Sequence, residues 1–317
     1  KGRAFETFMG SFFRGDFGQY FTPRNIVSFI VDSLPIDEER RVLDTSCGSG
    51  GFLLHALDKV RKSARSFHDI KEGEKETVEC HKQWHDFAEY NLYGIEINEQ
   101  ISRTAKMNMI IHDDGHTNVV TSDGLISPAD LRERANNDGF KEGTFDYIIT
   151  NPPFGSTVKQ TEKAYLHQYK LAIKEMDWLN PNSKVADRPS QSTEVLFIEQ
   201  AETYLAAGGY LAIVVPDGVL TNSSMQYVRD YISETFRIVA IISMPQTAFS
   251  ANGAGVKSSV MFLKKYSSSE KQARVDLRNN TQNRLISHSE DGKKFFKLLK
   301  NKKDNIAMRK IGLLLLL

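Results

Sequence analysis

Short apolar runs alternate with longer amphipathic stretches over most of the chain, and that rhythm predicts strands alternating with helices. Phe5, Phe8, Met9, Phe12 and Phe13 recur at helical spacing and predict a short amphipathic helix. Residues 18–23 break it, and Pro23 suits the first turn of a second helix through Ile26, Val27, Phe29, Ile30 and Leu34. This places Thr22 at the N-cap, where its hydroxyl either caps the helix or, with the free amides of the first turn, binds a carboxylate. Residues 41–46 read as a first strand, followed by the glycine loop Cys47-Gly48-Ser49-Gly50-Gly51-Phe52 and a helix through Leu53, Leu54, Ala56, Leu57 and Val60.

Residues 91–97 read as a second strand, with Asn98 capping a helix, and residues 118–124 as a third. Residues 145–150 form a fourth, stopped by Asn151-Pro152-Pro153-Phe154. An apolar helix from Thr193-Glu194 is expected to stop at Gly208-Gly209. Strands at 210–215 and 238–242 flank a helix at 225–236, and residues 258–263 return as a hairpin. Residues 61–91 are polar and read as an insertion whose Trp84 and Phe87 pack on the main body. Residues 125–143 read as a charged loop, and residues 156–182 as a mobile loop over a site. The order predicts an α/β fold: a mostly parallel sheet with helices on both faces.

Composition narrows the classes. A chain of 317 residues with 40% hydrophobic and 26% charged residues is ordinary for a globular protein, and a net charge of +1 neither demands nor excludes a polyanionic partner. Two cysteines, Cys47 and Cys80, exclude a disulfide scaffold and fit a reducing cytoplasm. No apolar run approaches the ~20 residues of a membrane span, and no signal-peptide core is present, so a cytoplasmic protein is expected. Residues 313–317, a run of leucine, are far too short to span a membrane. A chain that begins at Lys1 is expected to lack its natural start. Cys80, His81 and His85 cluster without a second set to complete a tetrahedral site, so no metal is expected.

Candidate chemistry lies at the strand ends, where open α/β sheets bind ligands. The two prolines hold Asn151 in extended backbone, and its carbonyl oxygen can accept a hydrogen bond from an exocyclic amine. Phe154 offers a flat face on which a base can stack. Asp44 faces the glycine loop; no Lys-Ser or Lys-Thr pair follows that loop, and its glycines lack the dinucleotide spacing. An acid there suits an amine-bearing ligand better than a pyrophosphate. Glu96 ends the second strand, where ribose hydroxyls are held in nucleotide folds, although much further from Asp44 than the roughly 20 residues of a minimal unit. The insertion accounts for the excess. Asp123 ends the third strand and can accept from an adenine amine.

The ordered set Phe21-Thr22-Pro23, residues 44–52, Gly94-Ile95-Glu96, Ser122-Asp123-Gly124 and Asn151-Pro152-Pro153-Phe154 resembles the adenine-N6 DNA methyltransferases that use S-adenosylmethionine, and most of all the modification subunits of type I restriction–modification systems. The resemblance covers roughly residues 5–265. It implies a Rossmann-like S-adenosylmethionine-dependent methyltransferase fold with a mostly parallel seven-stranded sheet, and methyl transfer to the N6 amine of adenine in double-stranded DNA. It implies that Asp44 binds the ammonium of the cofactor's methionine part, with Thr22 and the amides around Gly48, Gly50 and Gly51 at its carboxylate. Glu96 would hold the ribose, Ile97 would pack on the adenine and Asp123 would take its amine. Phe21, Ser46, Phe52 and Gly124 complete the implied cofactor set. Asn151 and the Pro152 carbonyl would accept both hydrogens of the target amine, with Pro153 stiffening the motif and Phe154 stacking on a flipped base.

Such a transfer needs positioning more than a strong base, which matches the lack of a nucleophile, dyad or metal set. Thr45-Ser46 stands where many relatives have Pro-Ala, and small residues are retained. Residues 1–17 would be the remnant of an N-terminal helical domain, 18–266 the catalytic domain with 61–91 and 156–192 as insertions or loops, and 267–317 a C-terminal extension. Sequence recognition would be delegated to a DNA specificity subunit, with a restriction subunit and a second copy of the chain as further partners. Two alternatives remain at this point. Protein glutamine-N5 methyltransferases share Asn-Pro-Pro followed by an aromatic residue, although the early Phe-Thr-Pro and the long insertions favour DNA; a nucleotide-binding regulatory module without catalysis is the other.

Overall fold

The computed structural model describes residues 22–112, 118–159, 161, 164–174, 186–249, 256–288, 290–291 and 293–294. Phe21, the helix expected over residues 5–13 and the leucine run at 313–317 lie outside the described residues. Two compact units are distinguished: residues 1–174 with 187–265, and residues 175–186 with 266–317.

The first unit is built on seven strands: β1 (Val42–Asp44), β2 (Leu92–Glu96), β3 (Val119–Thr121), β4 (Phe145–Thr150), β5 (Leu205–Pro216), β6 (Phe236–Ser243) and β7 (Ser258–Lys265). They lie in the order β6-β7-β5-β4-β1-β2-β3. β1 pairs in parallel with β2 and β4, β2 with β3, and β4 with β5. β7 runs antiparallel between β5 and β6, so the expected hairpin inserts one reversed strand into an otherwise parallel sheet. The central strands are short apolar runs because both of their faces are covered. Successive residues then sort to opposite cores. Leu43, Ile148, Leu211 and Ile213 enter one core, while Val42, Tyr147, Ile149 and Ala212 enter the other.

Helices supply the two covers. Residues of α1 (Arg24–Asp32), α2 (Gly51–Phe67), α3 (Val78–Asn91) and α4 (Glu99–Ile111) line the core that holds Val42. Residues of α5 (Pro128–Ala135), α6 (Thr193–Tyr204) and α7 (Gln226–Thr235) line the core that holds Leu43. The chain leaves β1 toward β2 on one side and comes back to β4 on the other. The carboxyl ends of β1 and β4 therefore border the point where strand order reverses, the usual ligand crevice of an open α/β sheet.

Several expectations are corrected. Pro23, not Thr22, is the N-cap of α1, because its extended ψ of 138° delays the first turn to Arg24. Residues 125–143 hold α5, whose start is signalled by Ser127-Pro128 and fixed by Asp130 N donating to Ser127 Oγ at 3.1 Å. α6 ends at Tyr204 rather than at Gly208-Gly209. Those glycines lie inside β5, where pairing shifts between Phe145↔Leu205 and Tyr147↔Tyr210 and Gly208 takes φ +78°. Residues 61–67 continue α2, and α3 buries Cys80, Trp84, Phe87 and Ala88. The segment after Phe154 is anchored in its described parts: Thr157–Lys159 pairs with Ser190–Ser192, and Leu166, Tyr169 and Leu171 are core residues.

In the second unit, α8 (Ser268–His288) begins with a reciprocal cap that the sequence reading missed. Ser267 N donates to Glu270 Oε2 at 2.9 Å, and Glu270 N donates to Ser267 Oγ at 3.2 Å. Among the described residues no helix is long and apolar enough to cross a membrane.

Trp84 is fully buried, donates from Nε1 to Glu76 Oε2 at 2.9 Å and carries the Arg61 guanidinium 4.5 Å from its ring centroid. Trp84→Ala should therefore destabilise the fold by about 3–5 kcal/mol in urea titration. A loss below about 1 kcal/mol would mean that α3 is not part of the cooperative core.

Candidate active site

Asp44 ends β1 with 1% of its surface exposed. Its Oδ1 accepts from Ser46 N at 3.1 Å, while Oδ2 is buried with no hydrogen-bond partner among the described residues. Burial pushes its carboxyl up to about 7 and the nearby Glu96 charge adds to this, against the pull of the Ser46 amide and the Thr150 hydroxyl. An acid in this state lacks a cationic donor.

The loop after β1 is shaped by Gly48 at φ +54° and Gly50 at φ +86°, left-handed values at which a Cβ would be strained. Gly50 is the N-cap of α2, so the amides of Gly51 and Phe52 belong to that helix's open first turn. The Phe52 ring itself is buried in the core, leaving its backbone as its contribution to a site. Cys47 N donates to Ile95 O at 2.8 Å and Asn108 Nδ2 donates to Ser49 O at 2.9 Å, which ties the loop to β2 and α4. Ser46 Oγ lies 2.8 Å from Thr150 Oγ1, linking the ends of β1 and β4.

Glu96, buried at the end of β2, accepts from Gly48 N at 3.0 Å and Asn98 N at 2.8 Å. Ile97, one residue on, leaves 58% of its surface exposed, unusual for an isoleucine at a sheet edge. Asp123 accepts from Leu125 N through Oδ1 at 3.0 Å and from the Tyr165 hydroxyl through Oδ2 at 2.9 Å. Gly124 is buried, and a side chain there would collide with the Thr45 carbonyl oxygen, so the turns after β3 and β1 touch through it.

At the end of β4, Asn151 donates from Nδ2 to Thr22 Oγ1 at 2.9 Å, and its Oδ1 is buried with no partner among the described residues. The Thr22 hydroxyl thus receives an amide hydrogen instead of capping α1. Pro152 is buried and Pro153 exposed; Phe154 is half-buried against the core that holds Val42. Thr193 Oγ1 donates to Pro153 O at 2.8 Å, so the start of α6 braces the motif.

Asp44, Ser46, Gly48, Gly50, Gly51, Glu96, Ile97, Asp123, Gly124 and residues 151–154 all follow the carboxyl ends of β1 to β4, and Thr22 joins them through Asn151. Sequence reasoning missed Thr150, Tyr165 and Thr193, whose contacts join segments far apart in the chain. It also missed Ser192 Oγ and Glu194 Oε2, both buried without a partner among the described residues. The His81 and His85 rings stack with centroids 5.3 Å apart, while Cys80 is buried, and the three do not group as ligands among the described residues. Among the described residues only His85, Asp86 and Glu89 bring metal-ligand atoms together.

A family model described as N-6 DNA Methylase matches residues 1–309. The chain belongs to that family. The chain is 26% identical over 252 residues to the type I restriction enzyme MjaIX methylase subunit of Methanocaldococcus jannaschii, covering 78% of this chain and 38% of that protein. It is 27% identical over 251 residues to the EcoKI methylase subunit of Escherichia coli K12, covering 78% and 40%. The chain thus spans about two fifths of the length of these curated relatives. A crystallised modification subunit from Vibrio vulnificus YJ016 matches the fold with a TM-score of 0.62 at 23% identity, over 83% of this chain and 48% of that one. The EcoKI M protein matches with a TM-score of 0.54 at 24% identity, over 79% and 45%. The fold is that of the Rossmann-like methyltransferases, with its seven-stranded, mostly parallel sheet.

The raised Asp44 carboxyl makes the stability of the ligand-free protein depend on pH. Its folded value near 7 lies above the unfolded one, so its contribution is complete below about pH 4, falls as pH rises and is gone above about pH 7. In denaturant titrations, wild type should lose on the order of 4 kcal/mol relative to Asp44→Asn between pH 4 and pH 8. A difference that stays flat with pH would show that Asp44 is not a desolvated acid.

Proposed function

We propose that this chain carries the catalytic domain of an adenine-N6 DNA methyltransferase, with S-adenosylmethionine as methyl donor, and serves as the modification subunit of a restriction–modification complex. One observation carries the proposal: Asp44 Oδ2 and Asn151 Oδ1, at the ends of the adjacent strands β1 and β4, are both buried without a partner among the described residues. Each needs an N–H donor, and the two together fit a ligand ammonium on one side and a substrate amine on the other.

The residues fit the donor. Asp44 meets the methionine ammonium, and the amides of Gly51 and Phe52 with the Thr22 and Ser46 hydroxyls surround the carboxylate. Glu96 uses its remaining lone pairs for the ribose hydroxyls, the exposed face of Ile97 covers the adenine, and Asp123 accepts from the adenine amine. When bound, S-adenosylmethionine would supply a methyl group on a sulfonium whose leaving group is a neutral thioether, and the methylated amine would release one proton to solvent. Asn151 Oδ1 and the Pro152 carbonyl accept the two hydrogens of the target amine, which turns its lone pair out of the base plane and toward the methyl carbon. Thr22 holds Asn151, Thr193 holds the neighbouring Pro153 carbonyl, and Phe154 stacks on the extruded base.

Residues 18–266 form the catalytic domain and 267–317 an extension, a division supported by the boundary between the two compact units at Lys265. Double-stranded DNA is the substrate. A DNA specificity subunit, a restriction subunit and a second copy of the chain are the partners in this proposal; that the relatives are named as methylase subunits of type I restriction enzymes supports partner subunits in general. The two free, buried cysteines support a reducing cytoplasm.

The decisive assay mixes the chain and its specificity subunit with labelled S-adenosylmethionine and either duplex DNA or a glutamine-bearing protein. Label on adenine N6 is expected; label only on protein would replace this proposal with glutamine methylation. Asn151→Ala should bind S-adenosylhomocysteine as wild type does in calorimetry while transfer falls roughly 100-fold or more. Unchanged transfer would remove Asn151 from catalysis.

A further inference from the structure

The segment after Asn151–Phe154 returns to the opposite side of the cleft and grips one short turn twice. Tyr165 donates its hydroxyl hydrogen to Asp123 Oδ2 at 2.9 Å. Tyr169 places its hydroxyl 2.6 Å from the Leu125 carbonyl and 2.8 Å from Gln200 Oε1. The two rings meet edge to face with centroids 6.3 Å apart, and Tyr169 is buried in the core. One tyrosine therefore fixes the backbone of the turn and the other fixes the carboxylate that projects from it.

An aspartate just past a strand end is free to rotate about two side-chain bonds unless donors hold it. Here two donors, Leu125 N and Tyr165 Oη, bind different carboxylate oxygens and fix the plane of the group. A carboxylate offers about four lone-pair sites, more than these two bonds use. Both partners are donors, so the Asp123 carboxyl acts as an acceptor through both of its oxygens. Burial and the Asp123 charge raise the Tyr165 hydroxyl well above the ordinary phenol range, so it stays protonated and keeps donating.

We propose that Tyr165 is a positioning residue that presents the Asp123 carboxylate to the 6-amino group of the cofactor's adenine, and so makes the pocket select a 6-amino purine over purines lacking that amine. The proposal rests on the assignment of Asp123 to the cofactor adenine made above. It also gives the segment between the target-base motif and α6 a direct part in cofactor recognition. A Tyr165 that only anchors its own segment would give a different result, because it would then act on all ligands alike.

The experiment measures binding of S-adenosylhomocysteine, and of its analogue with hydrogen in place of the 6-amino group, to the full chain and to Tyr165→Phe by calorimetry, with melting temperatures alongside. Wild type should prefer S-adenosylhomocysteine by about tenfold or more. Tyr165→Phe should weaken S-adenosylhomocysteine by roughly 5- to 10-fold and leave the analogue within about 2-fold of wild type, at a melting temperature within about 3 °C. Equal weakening of both ligands, or of neither, would overturn the role of Tyr165, as would a wild type indifferent to the amine. A wild type that binds S-adenosylhomocysteine not at all would overturn the cofactor assignment itself and this role with it.

Discussion

Two buried acceptor oxygens without hydrogen-bond partners among the described residues, one at the carboxyl end of each of two adjacent parallel strands, are the constraint on which the site depends. Leaving a buried polar group unsatisfied costs about 1–3 kcal/mol, and more when the group can carry charge. The sheet can hold this cost because the register Val42↔Tyr147 and Leu43↔Ile148 is fixed by backbone bonds and by cores on both faces. Neither Asp44 nor Asn151 can relax toward the other without breaking that register. A ligand that satisfies both oxygens recovers the cost on binding, which turns strain in the free protein into affinity.

Neutral hydroxyls join the two halves. Thr150 connects to Thr45 and Ser46 beside Asp44, Thr22 takes the amide hydrogen of Asn151, and Thr193 donates to the carbonyl of Pro153. Hydroxyls fix geometry through short bonds without neutralising the acid. An arginine or lysine in any of these places would pair with Asp44 and remove its demand for a ligand cation. At Asn151 one amide hydrogen goes to Thr22, and the buried carbonyl oxygen has no partner among the described residues.

Much of this was legible in the sequence because local rules and global structure agree there. An apolar run ending in an acid and a glycine loop can form little else than a buried strand opening into a helix, and two successive prolines stop β4 whatever surrounds it. Elsewhere a local rule named the right residue for the wrong reason. Thr22 before Pro23 looks like a cap, but α1 starts one residue later and the hydroxyl serves Asn151 instead. Gly208 does adopt a left-handed φ, as a helix stop would require, yet it spends that freedom on a bulge in β5, because pairing of Leu205 with Phe145 begins the strand earlier. Tyr165 had no local signal at all, and Thr193 was legible only as a helix start. Their partners lie 42 and 40 residues away in the chain, and only the fold brings them together.

Cys47 shows how the acids shape the chemistry as well as the binding. It sits in the glycine loop, where the amides of a helix start would normally favour a thiolate, the reactive form of cysteine. Here burial, with the charges of Asp44 and Glu96 behind it, pushes the thiol well above its ordinary range. A thiolate at this position would compete with the target amine for the proposed methyl donor. In the proposed reaction, the acidic, desolvated environment that would recruit a cationic cofactor also holds the loop's cysteine as the thiol. Strand-end acids would then perform two tasks with one arrangement, leaving the proposed transfer to the amine that Asn151 and Pro152 would orient.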